Sequence, residues 1–178
     1  MKQVKIGDVT LELAQGNIAA QPEMEAVVNA ANAMLAPGGG VAGAIHRAAG
    51  PGLYEECKPL APIRPGQAVI TGAHNLPNRY VIHTLGPVYG QDRPESVILA
   101  NCYRNSLKIA DENHVQSVAF PAISTGIFGY PVKDAARVAL KTVMEVAPEL
   151  KHVKRIRFVL YSASDLETHQ AVLEELMD

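Results

Sequence analysis

Between Val27 and Gly50 the chain reads VVNAANAMLAPGGGVAGAIHRAAG, and no other stretch constrains the fold as strongly. Val27 and Val28 close a short apolar run of strand type. Asn29, Ala30, Ala31 and Asn32 stand at its exit. Three consecutive glycines, Gly38, Gly39 and Gly40, lead straight into an Ala-rich helix start, Val41 to Ile45. Glycines without Cβ let backbone N–H groups come close to a ligand, and a helix N-terminus carries about half a positive charge. A strand, a glycine loop and a helix in that order make an anion site, most often one for phosphate. A flexible surface loop would explain a bare run of glycines. It does not explain asparagines at a strand end directly before the run and a helix directly after it.

A length of 178 residues suits one domain, 1–178, with one sizeable core. Hydrophobic residues at 48% and charged residues at 19% are those of an ordinary globular chain, and aromatics at 5% leave the core to aliphatic side chains. The net charge of −2 and the lack of a Lys/Arg block argue against nucleic acid or an acidic membrane as a general partner. Cys57 and Cys102 read as small buried residues on helices, neither a disulfide nor a zinc site. His46, His74, His83, His114, His152 and His169 show no metal-ligand spacing, so no metal or cofactor is expected. His83 reads as a satisfied core histidine and His46 as a packing or hydrogen-bonding residue. The N-terminus does not look like a targeting peptide, and no apolar run approaches ~20 residues. A cytoplasmic location is the resulting expectation. The sequence leaves the oligomeric state open.

Val4–Ile6 and Val9–Ala14 read as a hairpin about Gly7-Asp8. Val9, Leu11 and Leu13 alternate with Thr10 and Glu12, as in a half-buried strand. Pro22–Glu25 suits a short helical turn. Ala26–Ala30 is apolar on both faces, as in an internal parallel strand. Helical pattern covers Val41–Ala49, and Pro51 opens a second helix to about Leu60. Ala68–Thr71 and Tyr80–Thr84 read as strands. A long helix runs from Pro94 to about Asn113, with Leu99, Tyr103, Leu107 and Ala110 on one face. A strand over Val115–Pro121 leads to a glycine-bearing loop, Ile123–Tyr130. Pro131 opens the next helix, which buries Val132, Ala136, Ala139, Val143 and Val146. Ile156–Tyr161 is the last strand, and Ser164 with Glu167 has capping-box spacing for a final helix presenting Leu166, His169, Leu173 and Leu176. This alternation predicts a three-layer α/β/α sandwich on a mixed, mainly parallel central sheet. In such sheets ligands sit beyond the carboxyl ends of the strands, where both glycine loops fall. Two such loops side by side suit a diphosphate.

GNI (Gly16–Ile18), VVNAAN (Val27–Asn32), GGGVAGAIHRAAGPGL (Gly38–Leu53), YVIHTLGPVY (Tyr80–Tyr89) and FPAISTGIFGYP (Phe120–Pro131) together resemble the macrodomain family. The resemblance spans nearly the whole chain in the family's order. HRAAGP and YVIHT look most like its MacroD-type branch. It implies the same α/β/α fold and ADP-ribose, free or on a protein, as ligand. By resemblance, Asn17 stands where an Asp usually bonds the adenine amine, and Ile18 supplies a backbone N–H beside the base. Tyr161 matches an aromatic that stacks on it. Asn32 matches the asparagine holding the distal ribose, while Asn29 reads as a cap on the loop backbone. Gly38, Gly39, Gly40, Val41 and Ala42 match the loop round the distal ribose and one phosphate. Ser124, Thr125, Gly126, Ile127 and Phe128 match the loop cradling the diphosphate, with Phe128 against the distal ribose.

The resemblance implies hydrolysis of an ester on the distal ribose, in mono-ADP-ribosylated Asp/Glu or in O-acetyl-ADP-ribose. Asn32 would orient the ribose, and the substrate phosphate would assist the attacking water. Ala42 departs from the pattern: MacroD-type hydrolases carry an Asp there, and Ala cannot accept a proton. Phe128 stands where many relatives have Tyr. The alternative is a reader that binds ADP-ribose without turnover. A nicotinamide-dependent dehydrogenase fails because no G-x-G-x-x-G follows the first strand.

Overall fold

The computed structural model describes every residue, 1–178. One seven-stranded sheet runs through it. Its strands are β1 (Lys2–Ile6), β2 (Val9–Gln15), β3 (Ala26–Ala30), β4 (Ala68–Gly72), β5 (Tyr80–Thr84), β6 (Ser117–Phe120) and β7 (Arg155–Leu160), in the order β1-β2-β7-β6-β3-β5-β4. β1 and β4, the two edges, are antiparallel to their neighbours, and β2, β7, β6, β3 and β5 run parallel. The sheet is therefore mixed and mainly parallel, as the alternation of patterns predicted. Gly7, at φ 59°, turns the β1–β2 hairpin.

Helices α1 (Gly40–Ala49) and α2 (Pro51–Cys57) cover one face. Helices α3 (Glu95–Glu112), α4 (Val132–Val146) and α5 (Ala163–Met177) cover the other. The inner strands are apolar on both sides because each feeds both layers. Val27, Val81, Ala119 and Val159 meet Ile45 and Leu53 of α1 and α2, whereas Val28, Ile82, Phe120 and Phe158 meet Tyr103, Leu140 and Leu173 of the other layer. Tyr103, Phe120 and Phe158 cluster with centroids 5.1–5.7 Å apart, so the few aromatics sit where the core is thickest.

Several local expectations shift. The final helix is capped two residues earlier than predicted: Ser162 accepts from Asp165 N–H at 3.0 Å. The same Ser-x-x-acid spacing occurs at 162 and 164, and the strand end at Leu160 selects the first. β6 begins at Ser117 rather than Val115, because Lys154 and Arg155 bond back to Gln116 O. Pro22–Glu25 forms a turn and no helix. α2 ends at Cys57, with a 3-10 turn over Lys58–Leu60. Glu12 is buried instead of facing solvent. The α1–α2 layer leaves β2 and the first half of β7 uncovered, and there Glu12 takes bonds from Arg155 Nε and Arg157 Nε at 2.9–3.0 Å. Arg157 reaches on to Gln21 and Glu23. No helix is long and apolar enough to cross a membrane.

Candidate functional site at the carboxyl rim

Because β2, β7, β6, β3 and β5 are parallel, the segments that follow them leave the sheet at one rim. Asn17 and Ile18 follow β2, Tyr161 follows β7, Ser124–Phe128 follow β6, and Asn32 with Gly38–Ala42 follow β3. The topology thus gathers every residue singled out by the motifs on one edge of the molecule.

The β3–α1 loop is built by Asn32. Its Oδ1 accepts Ala36 N–H at 3.0 Å and its Nδ2 donates to Ala36 O at 2.8 Å, while Asn32 O accepts Leu35 N–H. The amide therefore clamps a turn and keeps one N–H and one lone pair for a ligand. Gly40, at φ 56°, opens α1 in a conformation that a side chain would strain. α1 has no side-chain cap and no acidic residue in its first turn. The N–H groups of Gly38, Gly39, Gly40, Val41 and Ala42 reach no acceptor within the protein. A close approach fixes this loop against its helix, since a Cβ on Gly43 would collide with the Gly38 carbonyl.

The β6–α4 loop is a second such turn. Ser124 takes φ 68°, unusual for a residue with a side chain, and is held there by Tyr130 N–H donating to Ser124 O at 2.9 Å. Thr125 Oγ1 bonds Ala122 O, and Gly129 N–H bonds Gly126 O. The N–H groups of Ser124, Gly126, Ile127 and Phe128 meet no protein acceptor. Tyr89 N–H donates to Phe128 O at 2.8 Å, so this loop arches from β6 across the end of β3 to the segment after β5. That brings it alongside the β3–α1 loop. Two sets of unpaired main-chain donors at adjacent strand ends, one at a helix N-terminus, form a surface suited to a polyanion.

Flanking side chains fall less uniformly. Phe128 is half-buried against the α1–α2 core, and its neighbour Ile127 is the exposed one at 93%. Tyr161 does not plug the strand end: it is 88% exposed beyond β7. Ile18 is buried, and Ala42 is buried in the first turn of α1. Asn29 does not cap the loop; that role falls to Asn32. Asn29 Nδ2 instead lies 3.1 Å from His83 Nδ1, and Thr71 Oγ1 is 3.0 Å from His83 Nε2. Burial pushes the His83 imidazole down to about 3, so it stays neutral, as expected of a satisfied core histidine. His46 is also buried, its ring nitrogens unpartnered, and burial lowers its pKa. Cys57 and Cys102 are buried on helices, and burial pushes both thiols up to about 11, which removes them as nucleophiles. No cluster of histidine, cysteine and carboxylate groups could hold a metal ion.

One relationship was missed in the sequence. Arg157 NH1 donates to Gln21 Oε1 at 2.8 Å, and Gln21 Nε2 donates to Asn17 O at 2.9 Å. A buried arginine thus anchors the segment carrying Asn17 and Ile18. The signal available was the pair of arginines at alternate positions, Arg155 and Arg157, in a strand whose remaining residues are apolar.

Comparison with known proteins agrees with this geometry. The family model "Macro domain" matches residues 28–139. The chain is 50% identical over 151 residues to the macro domain-containing protein CT2219 of Chlorobaculum tepidum, covering 84% of this chain and 88% of that one. It is 46% identical over 156 residues to a Klebsiella pneumoniae protein named O-acetyl-ADP-ribose deacetylase, with 85% and 89% covered. The solved Oceanobacillus iheyensis macrodomain with ADP superposes with a TM-score of 0.95 at 38% identity, over 99% of this chain and 96% of that chain. The Trypanosoma brucei macrodomain in complex with ADP-ribose gives 0.85 at 35%, over 92% and 68%. A match of this extent, on a chain with this sheet order and these two loops, places the protein in the macro domain family.

Proposed function

We propose that this protein binds ADP-ribose at the carboxyl rim and hydrolyses the ester on its distal ribose, in mono-ADP-ribosylated Asp/Glu of proteins or in O-acetyl-ADP-ribose. The observation that carries the reading is the pair of adjacent loops with main-chain N–H groups that have no partner in the protein, at Gly38–Ala42 and at Ser124, Gly126, Ile127 and Phe128. A diphosphate across both loops would satisfy them. Asn32, already rigid through its two bonds to Ala36, would orient the distal ribose with its remaining N–H and lone pair. Tyr161 would stack on the base beside Asn17 and Ile18. Rate would come from positioning and electrostatics, with a phosphate oxygen of the substrate assisting the water and no protein nucleophile. The MacroD-type likeness and the deacetylase name of one relative support the hydrolase reading. A cytoplasmic location belongs to the same reading.

A second reading, a reader without turnover, is favoured by Ala42, which offers no general base in the first turn of α1. Incubation with a protein carrying ADP-ribose on Glu, and separately with O-acetyl-ADP-ribose, decides between them. Release of ADP-ribose with time supports the hydrolase. Intact label, together with calorimetric binding of ADP-ribose, leaves the reader.

A further inference from the structure

The β3–α1 loop has a second side, away from the rim, and a polar cavity of about 340 Å³ opens against it. Gly38, Gly43, His46, Arg47, Gly50 and Tyr54 are among its lining residues, so it lies between the loop, α1 and the start of α2. Gly43 shapes it. With no Cβ there, the Arg47 guanidinium folds back along α1 toward the loop: the place a Gly43 Cβ would take lies 2.9 Å from Arg47 NH1 and collides with the Gly38 carbonyl. Arg47 is exposed and has no carboxylate to meet. Glu55 pairs with Lys58 at 2.9 Å and Glu56 with His74 at 2.7 Å, so both acids of α2 are engaged elsewhere. Tyr54 is half-buried, and its hydroxyl makes no bond within the protein. His46 packs edge-on against the Tyr54 ring, with centroids 6.4 Å apart. Burial keeps the His46 imidazole neutral, and Lys58, over the other ring at 5.0 Å, is balanced by Glu55. The cavity thus carries the single unbalanced charge of Arg47.

Gly38 belongs to both sides of the loop. Its carbonyl borders the cavity, while a Cβ on it would sit 3.5 Å from Asn32 Nδ2. One residue therefore separates the cavity from the place proposed for the distal ribose, the end of ADP-ribose through which a modified protein is joined. We infer that this cavity docks an acidic side chain of the protein that carries the ADP-ribose, with Arg47 and Tyr54 as its contacts. The inference rests on the ADP-ribose reading of the rim and adds a partner of stated chemistry: a protein with Asp or Glu beside the modified residue. A planar guanidinium fork matches the two oxygens of a carboxylate, and the Tyr54 hydroxyl supplies a further donor. One unbalanced positive charge suits a monoanion better than a phosphate near its second ionisation. Such a contact acts on protein-linked ADP-ribose and leaves the free nucleotide unaffected.

Calorimetry with three ligands tests this. They are free ADP-ribose and two peptides joined to ADP-ribose by a hydrolysis-resistant linkage, one with Glu flanking the modified position and one with Gln there. The wild-type chain is expected to bind the Glu peptide about tenfold more tightly than the Gln peptide, the lower end of what a hydrogen-bonded charge contributes. Added salt should narrow the gap. Arg47→Gln should remove the preference and Tyr54→Phe should reduce it, both with affinity for free ADP-ribose unaltered. Equal binding of the two peptides by the wild-type chain, or a preference that survives Arg47→Gln, overturns the proposal and leaves the ADP-ribose reading standing. A shift of the Arg47 Nε resonance by sodium acetate, at the concentrations where the Glu peptide saturates, would give the cavity to free carboxylates and overturn the docking of a partner. Failure of free ADP-ribose to bind the wild-type chain overturns both.

Discussion

Gly86 stands against Ser124 so closely that no side chain fits between them: a Cβ on Gly86 would collide with Ser124 Oγ and come within 2.6 Å of Ile123 Cγ2. The contact joins the segment after β5 to the loop after β6, across the end of β3. It is one of the pins that hold the β6–α4 loop over the rim, the other being the Tyr89 N–H bond to Phe128 O. Gly86→Ala is expected to destabilise the fold by about 1–3 kcal/mol, the usual range for overpacking. It should also weaken ADP-ribose binding by displacing the donors of Ser124 and Gly126. Urea unfolding and calorimetry check the pair of effects. Unaltered affinity in the variant would show that the loop does not depend on this contact.

Two glycines in the other loop separate space from function. A Cβ on Gly39 meets nothing within 4 Å, and its φ of −89° suits any residue. Gly39→Glu should leave stability within about 0.5 kcal/mol, as for an ordinary surface change. It should abolish ADP-ribose binding, because a carboxylate would occupy the place of the phosphate. Gly43→Ala is expected to behave differently: its Cβ collides with the Gly38 carbonyl, which is backbone and cannot rotate aside. That variant should lose stability and binding together. Thermal unfolding beside calorimetry distinguishes the two cases.

How legible the site was in the sequence follows from what each residue depends on. Gly38–Ala42 and Ser124–Phe128 lie in local strand–loop–helix units, so order and composition alone placed them at the carboxyl rim of the sheet. Asn29 and Asn32 were harder, because both sit at one strand end. Within β3, Asn29 points inward to His83, and Asn32, the second residue beyond the strand, is left to cap the turn. Glu12 and Arg157 escaped for a long-range reason. Both lie on strands whose outer face loses its helical cover where the α1–α2 layer ends, and chain order does not show how far a layer reaches. The displaced cap at Ser162 is the local counterpart: two serines carry equivalent signals, and only the length of β7 selects between them.

Three buried histidines, His46, His83 and His169, have pKa values lowered first by burial, His83 to about 3. A histidine kept neutral in the fold gains its proton on unfolding once the pH is below the unfolded value of about 6.5. Its contribution to stability is therefore full above that value and is lost as pH falls toward the folded value. Each such histidine should give a slope of at most about 1.4 kcal/mol per pH unit. Urea unfolding at about pH 7.5, 6.5, 5.5 and 5.0 reads it above the range where carboxylates titrate. Stability is expected to fall slightly between the first two and more steeply across the rest. His83→Gln should make the fall shallower, and an unchanged slope would locate the proton uptake elsewhere.

Ala42 provides the sharpest test of chemistry. It is buried in the first turn of α1, beside the unpaired N–H groups that would hold a phosphate. The helix dipole favours a negative charge there. Ala42→Asp would put a proton acceptor within the loop proposed to hold the ribose and, at the same time, a charge close to the diphosphate. The two effects separate in kinetics. If activation of water limits turnover on the Glu-linked substrate, kcat should rise, by about a hundredfold where general-base assistance is fully expressed. Affinity for ADP-ribose should fall, because like charges then share the loop. Single-turnover measurement of ADP-ribose release, beside calorimetry with the product, reads each alone. A fall in affinity with the single-turnover rate unmoved would place the slow step outside water activation.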